Sequence, residues 1–230
     1  MIERGAPTAQ AFSPGWYGKM PAAGDFIARR LSASFSEPWD RWLQGAMAGS
    51  RERLGEGWQN AFLCMPAWRF VLAPGVVSRH AWAGLMVPSV DAVGRYFPLT
   101  VASALPPQSL DTVGTLLAAA TWFEDIETIA LSALTPGANP ATIDAGILRR
   151  PFCGAWLQRP SEGDATVPAD APMPGRRWAA PGLAQTRAAW LTEASDLFER
   201  CLLLCERLPA AEQYCAMMDA RWVEHGWSAH

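Results

Sequence analysis

The chain of 230 residues is long enough to bury a hydrophobic core without disulfides or a structural metal. Half of its residues are hydrophobic and 18% are charged, which excludes global disorder and a solvated coiled-coil rod. The net charge is −3, and basic residues cluster only as short arginine pairs, so the chain lacks the basic face that is typical of a nucleic-acid-binding domain.

The sequence shows neither a membrane span nor an export signal. Its longest apolar stretches, such as residues 113–123, are shorter than the roughly 18–20 residues that cross a bilayer. Residues 1–15 lack a basic segment followed by an apolar one. The five cysteines are odd in number and irregularly spaced, which is typical of reduced thiols. We therefore expect a cytoplasmic protein.

The first half of the chain is predicted to contain a strand, a helix and three further strands, over residues 15–20, 36 to about 56, 68–73, 81–87 and 97–105. Residues 1–13 are small, polar and aperiodic, which predicts a flexible N-terminus. Residues 22–31 are predicted to be a turn with an irregular extension. Ser36 is a good N-cap for the helix, and Trp39 and Trp42 lie on its apolar stripe.

The second half is predicted to contain two helices, three strands and a closing helix, over residues 109–134, 141–148, 152–158, 186–191, 200–205 and 209–223. Residues 160–177 hold four prolines and almost no bulky apolar group, which predicts a flexible surface loop. Residues 224–230 are predicted to be a C-terminal tail. Because consecutive strands outnumber βαβ alternations, residues 14–223 are predicted to form one α+β domain. Its mostly antiparallel sheet carries helices on its faces, as an α/β/α sandwich.

Common catalytic and cofactor motifs are missing. The pair Gly18-Lys19 lacks the remaining residues of a phosphate-binding loop, and no G-x-S-x-G elbow is present. His80 and Asp91 are the residues that a hydrolase would use, with His80 as the base. The alternative is that His80 is an ordinary loop histidine before a strand. We expect no cofactor and no catalytic residue.

The cysteines and tryptophans favour a packed core over a special site. Three closely spaced cysteines lack the second ligand pair of a zinc site and are predicted to be buried thiols: Cys201, Cys205 and Cys215. We therefore expect no metal. Four tryptophans on the predicted helix and strands are expected in the core: Trp39, Trp42, Trp68 and Trp82. Trp16 and Trp178 lie near turns and are predicted to be surface anchors for a protein partner.

Three segments carry a specific pattern of glycines, aromatics and charges. They are GWYGKMPAAGDFIARRL at 15–31 with FSEPWDRWLQ at 35–44, PSVDAVGRYFPL at 88–99, and AAWLTEASDLFERCLLLCERLPAAEQYCAMM at 188–218. The pattern resembles the TagF family, also called ImpM, of type VI secretion-associated proteins. The first two segments are the more specific, and the loop at 160–177 fits no family landmark.

The resemblance implies a non-enzymatic cytoplasmic accessory protein of bacterial type VI secretion. Family members are regarded as post-translational repressors that bind the forkhead-associated scaffold protein of the apparatus, which holds off assembly. The expected partner is thus a protein, with no nucleic acid and no membrane insertion. The first alternative is a positive assembly or adaptor factor of the same system, and the second is a hydrolase that uses His80 and Asp91.

The motif residues have a structural and a partner-binding interpretation. Asp91 and Arg95 are four residues apart across a turn, where they can form a bracing ion pair. Glycine, aspartate and proline in such motifs usually encode backbone shape. The same segments also supply the candidates for direct contact with the partner: Trp16, Lys19, Asp25, Arg29, Arg30, Asp91 and Arg95.

Overall fold

A nine-stranded sheet is the framework of the computed structural model, in which residues 11–106, 110–154 and 175–230 are described. Its strands are β2 (Gly15–Gly18), β3 (Ile27–Arg29), β4 (Trp68–Leu72), β5 (Trp82–Val87), β6 (Leu99–Ala104), β8 (Arg176–Ala179), β9 (Ala188–Thr192), β10 (Cys201–Cys205) and β11 (Ser228–Ala229). Their spatial order is β11-β8-β10-β9-β4-β5-β6-β2-β3. Every neighbouring pair is antiparallel except β8 and β10. A separate antiparallel ladder joins β1 (Ala11–Phe12) to β7 (Phe152–Cys153).

Helices cover both faces of this sheet. Within the described ranges they are α1 (Ala33–Leu54), α2 (Trp58–Leu63), α3 (Thr112–Ala118), α4 (Ala120–Ser132), α5 (Pro140–Leu148) and α6 (Ala211–Asp219). One hydrophobic core lies between the sheet and α1, α2 and α6, and a second lies between the sheet and α3, α4 and α5. The predicted α+β fold, a mostly antiparallel sheet inside an α/β/α sandwich, is confirmed.

The central strands are buried on both faces, which explains why their sequences are nearly continuous apolar runs. Successive side chains of a strand point to opposite faces. In β4, Trp68, Phe70 and Leu72 accordingly join the core under α1, whereas Val71 joins the core under α4. One short strand therefore contributes to both cores.

Helix α1 begins at Ala33, one turn before the start that the Ser36 cap predicts. The extra turn forms because Phe35 belongs to the core: its side chain is fully buried and stacks on Trp39 at a centroid distance of 5.2 Å. Trp39 is fully buried as well, and Trp42 packs against the same core. The predicted aromatic stripe of α1 is thus confirmed, and tertiary packing moves only the helix start.

The single long helix predicted over residues 109–134 is divided at Ala119 into α3 and α4. Ala119 has φ −88° and ψ 17°, which departs from α-helical geometry and ends α3 there. Asp111 caps α3, because its carboxylate accepts hydrogen bonds from the amides of Val113 and Gly114. Residue 109, where the predicted helix begins, lies outside the described residues.

Several short elements are not apparent from the local sequence. β3 lies within residues 22–31, where an irregular extension is predicted, and it forms because Ile27 is buried against the sheet. β8 and α2 are likewise unpredicted. The closing helix is shorter than predicted, because Ala220 adopts the left-handed conformation at φ 59° and ends α6. Such short elements depend on pairing with distant segments.

The predicted flexible segments fall partly outside the described residues. Residues 1–10 and 155–174 are not described, so most of the predicted N-terminus and of the loop at 160–177 stay predictions. The described Arg176 and Arg177 belong to β8. In the stretch 224–230, β11 pairs with β8, and His225 is buried beside Asp219 at 2.9 Å.

The prediction that Trp16 and Trp178 are exposed anchors is wrong. Trp16 is fully buried and Trp178 is 6% exposed. Both lie on strands of the sheet: Trp16 shares a core with α5, and Trp178 stacks on Trp222 at 5.7 Å. The predicted core placement of the other tryptophans is confirmed, since Trp68 and Trp82 are also buried.

The cysteines give a direct test of this packing. Cys201, Cys205 and Cys215 are buried as predicted, whereas Cys64 is exposed. Burial raises the pKa of Cys201 to about 12 and that of Cys215 to about 11, which suppresses their reactive thiolates. At about pH 8, a thiol reagent should therefore modify Cys64 quickly and leave these three unmodified until the protein unfolds. Fast modification of any of the three in the native protein would contradict this packing, and denatured protein is the control.

Candidate binding site

The first two signature segments meet at one end of the sheet. The loop over residues 19–26 follows β2, and the loop over residues 88–98 joins β5 to β6. The amide of Ala92 donates a hydrogen bond to the carbonyl of Ala23 across the two loops, at 3.2 Å. The amide of Asp91 donates to the carbonyl of Arg95 at 3.1 Å and closes the second loop on itself. Segments that are about 70 positions apart in sequence therefore form one surface.

Asp91 is the centre of this surface. Its carboxylate is fully buried and accepts four hydrogen bonds. Lys19 Nζ and Arg95 Nε approach the same oxygen, Oδ2, at 2.5 and 2.7 Å. The other oxygen accepts from the backbone amides of Val93 and Arg95, at 3.0 and 2.8 Å. The predicted ion pair between Asp91 and Arg95 is confirmed, and Lys19 is a second partner that the spacing does not reveal.

The charge of Asp91 is stabilised despite its burial. Burial by itself raises the pKa of the carboxyl, but the hydrogen bonds from Lys19, from Arg95 and from the two backbone amides outweigh it. The pKa of Asp91 is therefore held well below its ordinary value. Both cations bond one oxygen and the backbone amides bond the other. The carboxylate therefore fixes the conformation of the loop over residues 88–98 and joins it to Lys19.

Lys19 lies beneath Phe26. Its side chain is 5% exposed, and its ammonium lies 5.0 Å from the centre of the Phe26 ring, within reach of a cation–π interaction. Phe26 also stacks on Tyr17 at 5.6 Å and meets Phe97 edge-on at 4.8 Å. One face of the Phe26 ring thus covers the ion pair, and the side chain is still 45% exposed.

Four side chains of these two loops form the exposed surface that we call the signature ridge: Asp25, Phe26, Val93 and Arg95. Val93 is 69% exposed at the tip of its loop, and the side chain of Asp25 is completely exposed. The Arg95 guanidinium bonds the carbonyl of Gly24 and lies 3.9 Å from Asp25. The ridge is therefore apolar at its centre and charged at its side, and a buried ion pair supports it from below.

Gly18 allows the two loops to approach each other. It has φ +135°, a conformation that residues with a Cβ rarely adopt. A Cβ at this position would lie 2.1 Å from the carbonyl oxygen of Pro98. The glycine of the GWYG motif therefore has a steric reason, because β2 must pass against the start of β6 for Lys19 to reach Asp91.

The signature residues of α1 are attached to the same place. Tyr17 donates a hydrogen bond from its hydroxyl to Asp40 at 2.7 Å, and Gln44 donates to the other oxygen of Asp40. Burial raises the pKa of Tyr17, and the carboxylate of Asp40 raises it further, so the hydroxyl remains a donor. Helix α1 thereby holds the aromatic base on which Phe26 rests.

Trp16 and Arg30 face a different element. The indole of Trp16 donates to Asp144 of α5 at 2.7 Å, and Arg30 contacts both oxygens of Asp144, at 2.9 and 2.8 Å. The hydrogen bond from Arg30, with that from Trp16, holds the pKa of Asp144 below its ordinary value. Arg30 keeps this contact from a left-handed backbone at φ 58°. These two candidates join α5 to the sheet.

The structure thus separates the predicted contact residues into two groups. The first group has Trp16, Lys19 and Asp91, which are buried, and Arg30, whose guanidinium forms an ion pair with Asp144. Asp25, Arg29 and Arg95 are exposed. Two exposed ridge residues, Phe26 and Val93, are absent from the prediction. Their signal is a large apolar side chain inside a turn, next to Asp25 in one loop and before Gly94, at φ +83°, in the other.

The pair His80 and Asp91 is not joined by any described contact. The ring of His80 accepts a hydrogen bond from the adjacent Arg79, and both oxygens of Asp91 are occupied as described above. Among the described residues, no group of three or more histidine, cysteine, aspartate or glutamate side chains is arranged to hold a metal ion.

The family model for the TagF N-terminal domain, which is type VI secretion system-associated, matches residues 15–149 of this chain. That match covers more than half of the sequence. The chain belongs to the TagF family. Both loops of the signature ridge lie inside the part that matches the TagF domain, whereas β8 to β11 and α6 lie beyond it.

A solved structure shares this fold along nearly the whole TagF-family chain. The crystal structure of PA0076 from Pseudomonas aeruginosa PAO1 is 31% identical in sequence and superposes with a TM-score of 0.73. The similarity covers 91% of this chain and 95% of that protein. No curated protein is significantly similar in sequence. In the described part of the TagF-family chain, no helix has both the length and the apolar character to cross a bilayer.

Proposed function

We propose that this chain is a non-enzymatic cytoplasmic repressor of type VI secretion that acts by binding the forkhead-associated scaffold protein of the apparatus. Membership of the TagF family supports a role in type VI secretion. The binding of a protein partner is supported by one structural observation: the most specific family segments build the exposed signature ridge. Exposed aromatic and arginine side chains on a rigid support are typical of protein-binding surfaces.

Repression then follows from mass action. A domain that occupies the scaffold protein lowers the concentration of free scaffold and so opposes assembly of the apparatus. No covalent bond is made or broken. The same ridge would also serve a positive assembly factor, so the sign of the effect is read from secretion itself: deletion of the gene should raise secretion of the tube protein, and a fall would favour the adaptor alternative.

Arg95→Ala is expected to weaken binding of the scaffold protein by about tenfold or more, because a half-exposed arginine at the side of an apolar ridge is a typical binding hot spot. Asp91 keeps its bond to Lys19 in this variant, so the loop should stay folded. The measurement is calorimetric titration of purified scaffold protein, with circular dichroism to confirm folding.

The matched control is Arg149→Ala, because Arg149 is also an exposed arginine but follows α5, away from the ridge. It should bind like the wild type. Lys19→Ala is expected to weaken binding together with thermal stability, since it removes the buried partner of Asp91. Unchanged scaffold binding by Arg95→Ala would exclude Arg95 from the interface. No binding by the wild type would contradict the proposed function.

A further inference from the structure

We infer that the signature ridge is one half of a longer binding face that extends across the whole end of the sheet. This inference rests on the proposed function and names the face that the partner covers. The face is a row of exposed apolar side chains, which we call the apolar row: Phe26, Leu63, Val93, Leu197 and Val223. It extends beyond the part of the chain that matches the TagF domain.

The distribution of exposed hydrophobic side chains is uneven. Among the described residues, seven large hydrophobic side chains are exposed. Five of them form the apolar row, and the remaining two, Leu131 and Leu148, lie on α4 and α5. The five of the apolar row are 45–73% exposed. Four of them lie in segments at the end of the sheet where β4 starts, β9 ends and the β5–β6 connection lies. The fifth, Val223, follows Trp222, whose ring lies beside Trp68 at the start of β4 and beside Phe198. Single exposed hydrophobics are normal, whereas an interaction surface groups several of them, and these five share one end of the sheet.

Contacts between α2 and the β5–β6 loop hold the first part of the row together. Leu63 is the last residue of α2, directly before the connection to β4. Phe62 beside it meets Tyr96 of the β5–β6 loop edge-on at 5.7 Å, and Gln59 donates a hydrogen bond to the Tyr96 hydroxyl. Leu63 is therefore anchored to the loop that carries Val93.

The second part of the row is held by Trp222. Its ring lies 6.1 Å from Trp68 at the start of β4, and 6.5 Å from Phe198 in the loop between β9 and β10. Leu197 precedes Phe198 and is 64% exposed, and Val223 follows Trp222 and is 73% exposed. Each exposed side chain is thus adjacent to a buried aromatic anchor, which gives the row a rigid base.

The length of the row fits a protein partner. Phe26 lies beside β3 and Leu197 beside β10, and these strands are six positions apart in the sheet. At about 4.8 Å between neighbouring strands, the row is about 30 Å long. A standard protein interface buries about 800 Å² on each partner, which corresponds to a patch roughly 30 Å across. The signature ridge alone is too short to supply such a patch.

The charges along the row specify the surface of that partner. The basic side chains along the row each pair with a carboxylate of the chain. Arg95 of the ridge pairs with Asp91 at 2.7 Å and is half-exposed, Arg200 pairs with Glu193 at 2.8 Å, and Arg221 pairs with Asp219 and Glu224. Asp25 and Asp196 remain exposed at the two ends of the row. This pattern opposes the phosphates of nucleic acids and of anionic lipids. It matches a folded protein whose apolar patch carries lysine or arginine at its rim.

The test changes two residues of the apolar row, Leu197 and Val223, which lie outside the two signature segments that form the ridge. Leu197→Glu and Val223→Glu are each expected to weaken binding of purified scaffold protein at least tenfold, measured by calorimetric titration, because each buries a charge in the interface. Leu148→Glu is the matched control: Leu148 is 44% exposed at the end of α5, and this variant should bind within about twofold of the wild type. Thermal melts confirm folding, and Leu197→Ser and Val223→Ser replace any glutamate variant that unfolds.

The outcomes separate this inference from the proposed function. If the wild type binds and both row variants bind equally well, the longer face is wrong and the repressor function stands. If the row variants abolish only a concentration-dependent dimer, seen by size-exclusion chromatography with light scattering, the row joins two copies of the chain and the inference is wrong. If the wild type does not bind the scaffold protein, both proposals fall. Weakening by the row variants alone, with Leu148→Glu unchanged, supports the face.

Discussion

Asp91→Asn is expected to lower the melting temperature by on the order of 5–10 °C and to abolish partner binding, because it leaves the Lys19 ammonium buried without a counter-charge. The amide has the same shape as the carboxylate, so the variant changes charge without creating a cavity. Its nitrogen also replaces one of the oxygens that accept from Lys19, Arg95 and the loop amides. We expect the loop over residues 88–98 to lose its fixed shape.

The matched control is Asp25→Asn, which removes a carboxylate from the same surface where it is completely exposed. An exposed pair at 3.9 Å contributes little to stability, so this variant should melt like the wild type. The measurement is thermal unfolding followed by circular dichroism, together with titration of the scaffold protein. If Asp91→Asn and Asp25→Asn melt at the same temperature, the buried network does not support the ridge.

Because the pKa of Asp91 is lowered in the folded protein, the free energy of unfolding should fall as the pH becomes acidic. The unfolded chain protonates Asp91 near its ordinary value of 3.8, and the folded protein does so only at lower pH. The contribution of the charge is therefore fully present above that value, and it is lost as the pH falls through the folded pKa. The difference in unfolding free energy between wild type and Asp91→Asn should be constant around neutral pH and shrink below about pH 4. A constant difference at all pH values would contradict the ion pair.

Gly18→Ala is expected to destabilise the protein by roughly 3 kcal/mol or more, because the new Cβ meets backbone and the glycine conformation is closed to alanine. The obstacle is the carbonyl oxygen of Pro98 at 2.1 Å, which belongs to the main chain and cannot rotate away as a flexible side chain can. Relief requires β2 and the start of β6 to separate, which also moves Lys19 away from Asp91. Loss of stability and loss of scaffold binding should therefore occur together.

Gly24→Ala is the control for this prediction. Gly24 lies in the loop between β2 and β3, and a Cβ there would meet no atom within 4 Å. Its effect on stability should stay within about 0.5 kcal/mol, measured by denaturant unfolding. Equal destabilisation by the two alanines would mean that glycine is required for general loop flexibility and not for the approach of the two segments.

Local sequence is sufficient for the fold class because the periodic segments are long and apolar. The stripe of Trp39 and Trp42 predicts α1, and the uniform apolar runs predict the central strands that two helical layers cover. The start of α1 at Ala33 and the break at Ala119 were not predictable in the same way, because they depend on which side chains the sheet accepts. The short strands β3, β8 and β11 exist only through their partners in the sheet.

The site shows the same division. Spacing across a turn predicts the ion pair between Asp91 and Arg95, since both residues lie within one loop. The third member, Lys19, is 72 positions from Asp91, and only the antiparallel pairing of β2 with β6 places it there. Trp16 illustrates the converse: its position near a turn predicts exposure, whereas the cover supplied by α5 and the bond to Asp144 bury it.

By itself, the sequence determined the α/β/α architecture, the buried thiols and the loop that carries Asp91 and Arg95, because each depends on composition, periodicity or contacts between near neighbours. The family followed from the resemblance of its motif segments, which the match over residues 15–149 confirms. The tertiary structure decided which motif residues face solvent. Burial depends on which distant segments pack on each side of a strand. Lys19 and Trp16 are therefore buried, where Lys19 bonds Asp91 and Trp16 bonds Asp144. Phe26, Val93 and Leu197 are exposed in loops that the strand order brings to one end of the sheet. Val223 is exposed beside Trp222, which packs on Trp68 at that same end.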